Sequence, residues 1–392
     1  MLTLQILHAS DFEGSVDAID DAPAFGTLVD VFEDEAAADG IASILLTAGD
    51  NYIPGPLFNA AGEEDLQPAL QAAVEAFYGL DAGSLAGIAT APGRFDITIA
   101  NILGVDASAV GNHEFDAGTG AVADIVAAGP VLDEDDNPVA VDGLEDIAWL
   151  GAQFPYLSAN LDFAGDDTLA SLFTAEIVPN TDFATDPDAF LAEGGSPQIA
   201  PATTIEVESA DGTERIGVIG ATTQLVESVS STGGVEVIGA PGENDMEQLA
   251  TVLQPVVDAL ETDGVNKIVL VSHLQQFALE SELAGLLDGV DVFVAGGSDT
   301  IVGDEGDVLR PGDEIDVEGY PVIAEDAAGD PVAIVSTDGQ YSYVGRLVVT
   351  FDENGVIDPT SIGDDSGPYA TNEEGVTAVT GAATLDEAVA AS

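Results

Sequence analysis

Five short stretches of this sequence combine Asp, Glu, Asn and His in a way that could hold cations: Ser10-Asp-Phe-Glu-Gly14, Gly49-Asp-Asn51, Gly111-Asn-His-Glu-Phe-Asp116, His273, and Gly296-Gly-Ser-Asp299. Each follows a run that reads as a β-strand, over 2–9, 41–47, 107–110, 267–272 and 291–295. In open α/β sheets ligands bind beyond the carboxyl ends of strands, so five such ends are expected to converge on one site. Carboxylate and amide oxygens with a few imidazoles suit Mn, Fe, Zn, Mg or Ca, and the excess of oxygen disfavours soft metals. Two ions about 3.5–4 Å apart, bridged by one carboxylate, clamp the attacking and leaving oxygens of an in-line displacement. A single Gly-Asp after a strand is ordinarily a turn, and His8, inside an apolar strand, reads as a structural histidine. Gly-Asn-His-Glu, in its order after Asp11 and Gly49-Asp50, is a far more specific signal.

The elements that must position these residues alternate between strand-like and helix-like stretches, which favours an α/β class. Further strands are expected at 156–161, 332–336 and 344–351, and a hairpin at 203–209 and 215–221 around Ala210-Asp-Gly-Thr213. Helices are expected at 22–38, 64–78, 116–128, 244–261 and 275–288. Acidic loops at 131–146 and 303–319 resemble calcium loops in carboxylate spacing, but neither carries the full twelve-residue pattern with its closing Glu. They read as solvated loops. After Asp352 the pattern weakens, so 353–392 reads as an acidic linker and tail with one short helix at most.

Ile6-Leu-His-Ala-Ser-Asp11, Leu46-Thr-Ala-Gly-Asp50, Gly111-Asn-His-Glu-Phe-Asp116 and Val271-Ser-His273 resemble, in order, the motifs of calcineurin-like metallophosphoesterases of the bacterial 5′-nucleotidase family. Val344-Gly-Arg-Leu-Val-Val-Thr-Phe-Asp352 is similar to the strand that closes the family's catalytic domain, so the resemblance covers residues 2–352. It implies a four-layer α/β/β/α sandwich with two mixed sheets over 1–352. The family's second, nucleotide-binding domain has no counterpart in these residues. By the same resemblance Asp50 would bridge two divalent ions, with Asp11 on one and Asn112 and His273 on the other. Asn112 and His113 would meet the substrate. His113, oriented by Asp116, would stabilise the transition state or protonate the leaving oxygen, and a metal-bound hydroxide would attack in line.

Two motifs depart from the family. Glu13 stands where its first motif carries a histidine, and Gly297 and Asp299 stand at the two ligand positions of its Gly-His-x-His motif. Glu13 and Asp299 are therefore candidate carboxylate ligands, which favours a hard, oxygen-preferring ion in at least one site. The function implied is metal-dependent phosphomonoester hydrolysis of a 5′-nucleotidase or alkaline-phosphatase kind. A broader phosphatase or a cyclic-nucleotide phosphodiesterase would use the same core. A catalytically inactive cation-binding module remains the alternative of another class.

Composition restricts the partners. Five basic residues face 73 acidic ones, a formal charge of −68, while 46% of residues are hydrophobic and can build a core. Such a surface repels long nucleic acid and anionic membrane, leaving small phosphate esters or nucleotides as ligands. Lysine depletion along the whole chain reads as adaptation to concentrated salt. Without cysteine there is neither a disulfide framework nor a thiolate site. No apolar run reaches the ~18 residues of a membrane span. The first residues read as a strand rather than an export signal, and an extracellular or periplasmic location follows from the resemblance alone. Oligomeric state is not legible.

Overall fold

A computed structural model describes residues 1–14, 18–77, 79–85, 91–130, 147–185, 196–209 and 212–392. Strand β1 (Leu2–Ala9) shows how the layers arise. Its alternation sends Leu2, Leu4 and Ile6 into a core shared by two sheets, and Leu7 and Ala9 to the opposite face. There they meet helix α1 (Ala18–Asp39), which buries Phe25, Leu28 and Phe32. Burying each such side chain contributes about 1.5–3 kcal/mol. Strands β2 (Ala42–Thr47), β3 (Ala107–Ala109), β4 (Tyr156–Leu157) and β5 (Ile199–Ala200) extend the first sheet in parallel.

The second sheet is built from the hairpin β6 (Ala202–Ser209) and β7 (Gly212–Thr222), then β8 (Ile268–His273) and β9 (Val292–Gly296) in parallel with β7. A further hairpin, β10 (Val322–Glu325) and β11 (Pro331–Val335), sets β11 parallel to β9. Helices α2 (Met246–Thr262) and α3 (Phe277–Ala284) cover its outer face, packing Leu249, Leu253 and Leu283 on Ile219, Leu270 and Phe293. Asp245 caps α2, accepting the Gln248 N–H at 3.0 Å. Strand β12 (Tyr343–Phe351) then returns to the first sheet antiparallel to β1. The layers are helix, sheet, sheet, helix, and both sheets are mixed.

Small residues let the two sheets close together at the end where the parallel strands finish. A Cβ on Gly220 would lie 2.0 Å from the Leu157 carbonyl oxygen, and one on Gly296 would lie 2.7 Å from both Ala48 Cβ and the Ser10 carbonyl oxygen. Ser10 Oγ donates to the Ala295 carbonyl at 2.8 Å and Thr222 Oγ1 to the Val110 carbonyl at 2.7 Å. The strand ends of one sheet are thus pinned to those of the other. His8 lies fully buried between the sheets, with Nε2 2.8 Å from the Tyr320 hydroxyl, and burial pushes its pKa down to about 3. It is a structural histidine.

Two segments differ from expectation. The strand expected over 156–161 stops at Leu157 and resumes only at Leu161–Asp162. Between them the Asn160 side chain accepts the Thr222 N–H at 2.8 Å and donates to the Thr222 carbonyl at 2.7 Å, doing the work of a backbone partner. Residues 353–392, read as linker and tail, instead add strands β13 (Ile357–Asp358) and β14 (Gly367–Ala370) to β12. Helices α4 (Glu373–Thr380) and α5 (Leu385–Val389) follow, with Val376 and Ala388 buried in the core beneath α1. Strands this short have too few positions to display an alternation.

The expected loop at 131–146 and the hairpin turn at 210–211 lie outside the described residues. In the loop at 303–319 three carboxylates take protein donors: Asp307 accepts the Asp304 N–H at 2.7 Å, Asp316 the Ile301 N–H at 3.0 Å, and Asp313 the Tyr343 hydroxyl at 2.6 Å. Among the described residues no helix is long and apolar enough to cross a membrane.

Candidate metal centre

The residues after β1, β2, β3, β8 and β9 meet where the two sheets are pinned. Two groups of three form there: Asp11, Asp50 and His273, and Glu13, Asp50 and His113. In each, one potential ligand atom per residue lies within 4.8 Å of the others, and Asp50 belongs to both.

Asp50 is held by its backbone. It has φ 47°, follows Gly49 at φ 104°, and is only 1% exposed. A Cβ on Gly49 would lie 2.7 Å from the Gly111 nitrogen, so the close approach of the two loops requires glycine. Glu114, buried behind them, accepts N–H bonds from Asp50 (3.0 Å), Asn51 (2.8 Å) and Gly111 (2.8 Å). Burial and the neighbouring Asp50 charge nevertheless push the Glu114 pKa up to about 8. Sequence reasoning assigned Glu114 no role, although it is the Glu of Gly-Asn-His-Glu.

His273 is fully buried. Its Nδ1 lies 2.9 Å from the Ala48 carbonyl oxygen and 3.2 Å from Asp11 Oδ1. A carbonyl only accepts, so Nδ1 carries a proton and the neutral ring presents a lone pair at Nε2. That lone pair faces Asp50 Oδ2 at 2.9 Å and Asn112 Oδ1 at 3.1 Å. The Gln275 amide donates to the Asn112 oxygen at 2.5 Å, but Nε2 and Asp50 Oδ2 are left as two facing acceptors, which is tenable only if a proton or a cation lies between them. Without a cation the proton goes to His273: burial alone would lower its pKa, but Asp50 and Asp11 raise it well above the usual histidine range. Burial raises the Asp11 pKa, against the pull of His273. Its two oxygens take the Gly297 N–H at 3.1 and 2.9 Å.

His113 is the more open member, its side chain 28% exposed. Its N–H donates to Asp50 Oδ1 at 2.7 Å and Nδ1–H to Asp116 Oδ2 at 2.6 Å. Ser230, which sequence reasoning missed, donates to Asp116 Oδ1 at 2.8 Å. The imidazole is thereby aimed, with Nε2 3.7 Å from Glu13 Oε1 and 4.0 Å from Asp50 Oδ2. Burial lowers the His113 pKa, but Asp50 and Asp116 more than offset this, so the net shift is upward. Glu13 is pushed up to about 7 by burial and by Asp11, Asp50 and Asp299.

Of the residues expected at the site, Asp11, Glu13, Asp50, Asn112, His113, Asp116 and His273 come together. Asp299 does not enter either three-residue group; it is exposed at the rim with φ 49°. Gly297, at φ 78°, contributes its N–H to Asp11 and no side chain. Glu13 (φ 39°), Asp50 and Gln275 (φ 72°) share the left-handed region, an unfavourable conformation that costs about 1–3 kcal/mol each. Such strain concentrates at functional sites.

The charge balance of the site calls for cations. Each basic side chain is engaged elsewhere: Arg94 with the Asp124 carbonyl, Arg215 with Asp263, Lys267 with Glu214, Arg310 with Asp21 and Arg346 with Glu35. No Lys or Arg is among the described partners of the site's polar atoms. Carboxylate, amide and imidazole donors of this kind fit divalent ions of the Mn, Mg, Fe or Zn class.

No family model matches the chain. It is 30% identical over 256 residues to the 5′-nucleotidase of Mus musculus, a match covering 65% of this chain and 34% of that protein. It is 27% identical over 268 residues to the trifunctional nucleotide phosphoesterase protein of Bacillus subtilis, covering 68% of this chain and 15% of that protein. The chain thus spans about a third of the length of the mammalian 5′-nucleotidases it matches. Among solved structures, the 5′-nucleotidase precursor of Thermus thermophilus superposes with a TM-score of 0.56 at 22% identity, covering 91% of this chain and 53% of that one. The NAD nucleotidase of Haemophilus influenzae superposes at 0.55 and 21% identity, covering 94% and 50%. At these identities the structural likeness concerns the fold.

Proposed function

Since the chain belongs to the 5′-nucleotidase family of metallophosphoesterases, we propose that it is a metal-dependent phosphomonoester hydrolase using two divalent ions. The observation that carries this reading is the central place of Asp50, within ligand spacing of Asp11 and His273 on one side and of Glu13 and His113 on the other. In this reading these neighbours regroup around two ions: Asp50 would serve both, Asp11 and Glu13 would complete one site, and Asn112 and His273 the other. Asp299, at the rim, lies outside both groups. Bound ions supply Lewis acidity, lowering the pKa of a coordinated water towards neutrality and neutralising phosphoryl oxygens.

His113 serves the leaving group. Asp116 and Ser230 fix its ring, the Asp116 carboxylate favours its protonated form, and its exposure admits a phosphate ester. Asn112 and His113 line the approach. Substrate charge is met by ions and this imidazole rather than by arginine, so the described residues offer little that would select a base. We therefore expect 4-nitrophenyl phosphate and AMP to be hydrolysed at comparable kcat/KM with Mn²⁺ in molar KCl. No turnover of either ester with any divalent ion would leave the inactive cation-binding module as the reading. Preference for a cyclic nucleotide would favour the phosphodiesterase.

From the charge we also propose that the protein is adapted to concentrated salt. Repulsion among an excess of 68 negative charges acts over about 10 Å at 0.1 M salt and about 3 Å at 1 M. The thermal midpoint should accordingly rise by ten degrees or more, on the order of several kcal/mol, between dilute and molar KCl. A midpoint flat across that range would remove the claim.

A further inference from the structure

Position 297 carries no side chain, and the space beside it is filled by Gln275. A Cβ built on Gly297 would lie 2.8 Å from His273 Nε2 and 2.9 Å from Gln275 Nε2, so a side chain there and the observed place of Gln275 exclude each other. The Gln275 amide reaches 2.5 Å from Asn112 Oδ1 and 3.0 Å from His273 Nε2. His273 Nε2 is in turn 3.1 Å from Asn112 Oδ1 and 2.9 Å from Asp50 Oδ2. Ligands held at right angles about 2.1 Å from one ion stand about 3 Å from one another. The four separations, 2.5 to 3.1 Å, are thus close to those between neighbouring ligands of one ion.

We propose that Gln275 is a ligand of the ion held by Asn112, His273 and Asp50, its side-chain oxygen taking the place that Gly297 leaves empty. This rests on the two-metal reading above. The terminal torsion of glutamine is broad and two-fold, so half a turn exchanges Nε2 and Oε1 at the same position. With no cation the amide N–H donates to the Asn112 oxygen. With a cation the oxygen turns inward and the N–H turns away. The left-handed backbone at Gln275, φ 72°, is an unfavourable conformation for a residue with a Cβ, and it is what carries the side chain back over His273. Residue 275 lies two positions beyond the end of β8, so its signal in the sequence is proximity to His273 rather than any motif.

The test is Mn²⁺ binding to the chelator-stripped full chain, by calorimetry and by metal count, in the wild type, Gln275→Ala and Gln275→Glu. Wild type should bind two ions. Gln275→Ala should weaken one of them by about tenfold or more and leave the other unchanged. Gln275→Glu, which offers oxygen in place of the amide, should restore or tighten that ion. Tighter binding in Gln275→Ala would show that the amide N–H competes with the ion, and unchanged binding would show that it does not touch it. Either result overturns the assignment while leaving the two-metal reading intact. A wild type that binds no Mn²⁺ would overturn both.

Discussion

Asp50→Asn should lower kcat by about 10³-fold or more and reduce bound Mn²⁺ from two ions to one or none. The effect is large because Asp50 has no substitute. Its Oδ1 takes the His113 N–H at 2.7 Å, while Oδ2 faces His273 Nε2 at 2.9 Å and His113 Nε2 at 4.0 Å. It is the one residue common to both ligand groups. Asparagine keeps the shape but removes the charge and turns one oxygen into a donor, which repels any ion it faces. The metal-free fold should survive, because the loss of the Asp50–His273 attraction is partly offset by relief of repulsion between Asp50 and Asp11. A thermal midpoint in chelator within a few degrees of wild type, with turnover gone, is the expected pair of results. Full activity with two bound ions would show that Asp50 does not bridge.

His113→Ala should lower kcat for AMP by about 10²–10⁴-fold, the usual range for a positioned general acid, while both ions remain bound. His113 contributes to the site through Nε2, which is oriented by the Asp116 contact at 2.6 Å and lies 3.7 Å or more from Glu13 and Asp50. Its backbone N–H, which grips Asp50, survives the substitution. A proton donor matters most when the leaving group is a poor one. The loss with 4-nitrophenyl phosphate, whose leaving oxygen needs no proton, should accordingly be at least tenfold smaller than with AMP. Equal losses on both esters would make His113 a charge stabiliser of the phosphoryl group. Loss of an ion would make it a ligand, as its place in the second group allows.

The sequence exposed those parts of the site that lie at the ends of strands. The runs before Asp11, Asp50 and His273 are long enough to show their pattern, and Gly-Asn-His-Glu marks itself. Three features were hidden because they depend on tertiary closure. Gln275 reaches Asn112 only because the backbone turns left-handed after β8. Ser230 comes to Asp116 from 114 residues away. Glu114 acts on backbone N–H groups of another loop, which no side-chain motif records.

Outside the site, β13 and β14 were missed because a strand of two or four residues has no legible period. The break between Leu157 and Leu161 was missed because an asparagine amide can replace a backbone partner without altering the apolar pattern.

The most direct test of the two-metal centre is anomalous diffraction from crystals soaked in Mn²⁺. Two peaks about 3.5–4 Å apart are expected, with one Asp50 oxygen at about 2.0–2.6 Å from each. Asn112 and His273 should ligate one ion, and Asp11 the other. A single peak, or two peaks of which Asp50 touches only one, would contradict the bridging carboxylate on which the proposed chemistry depends.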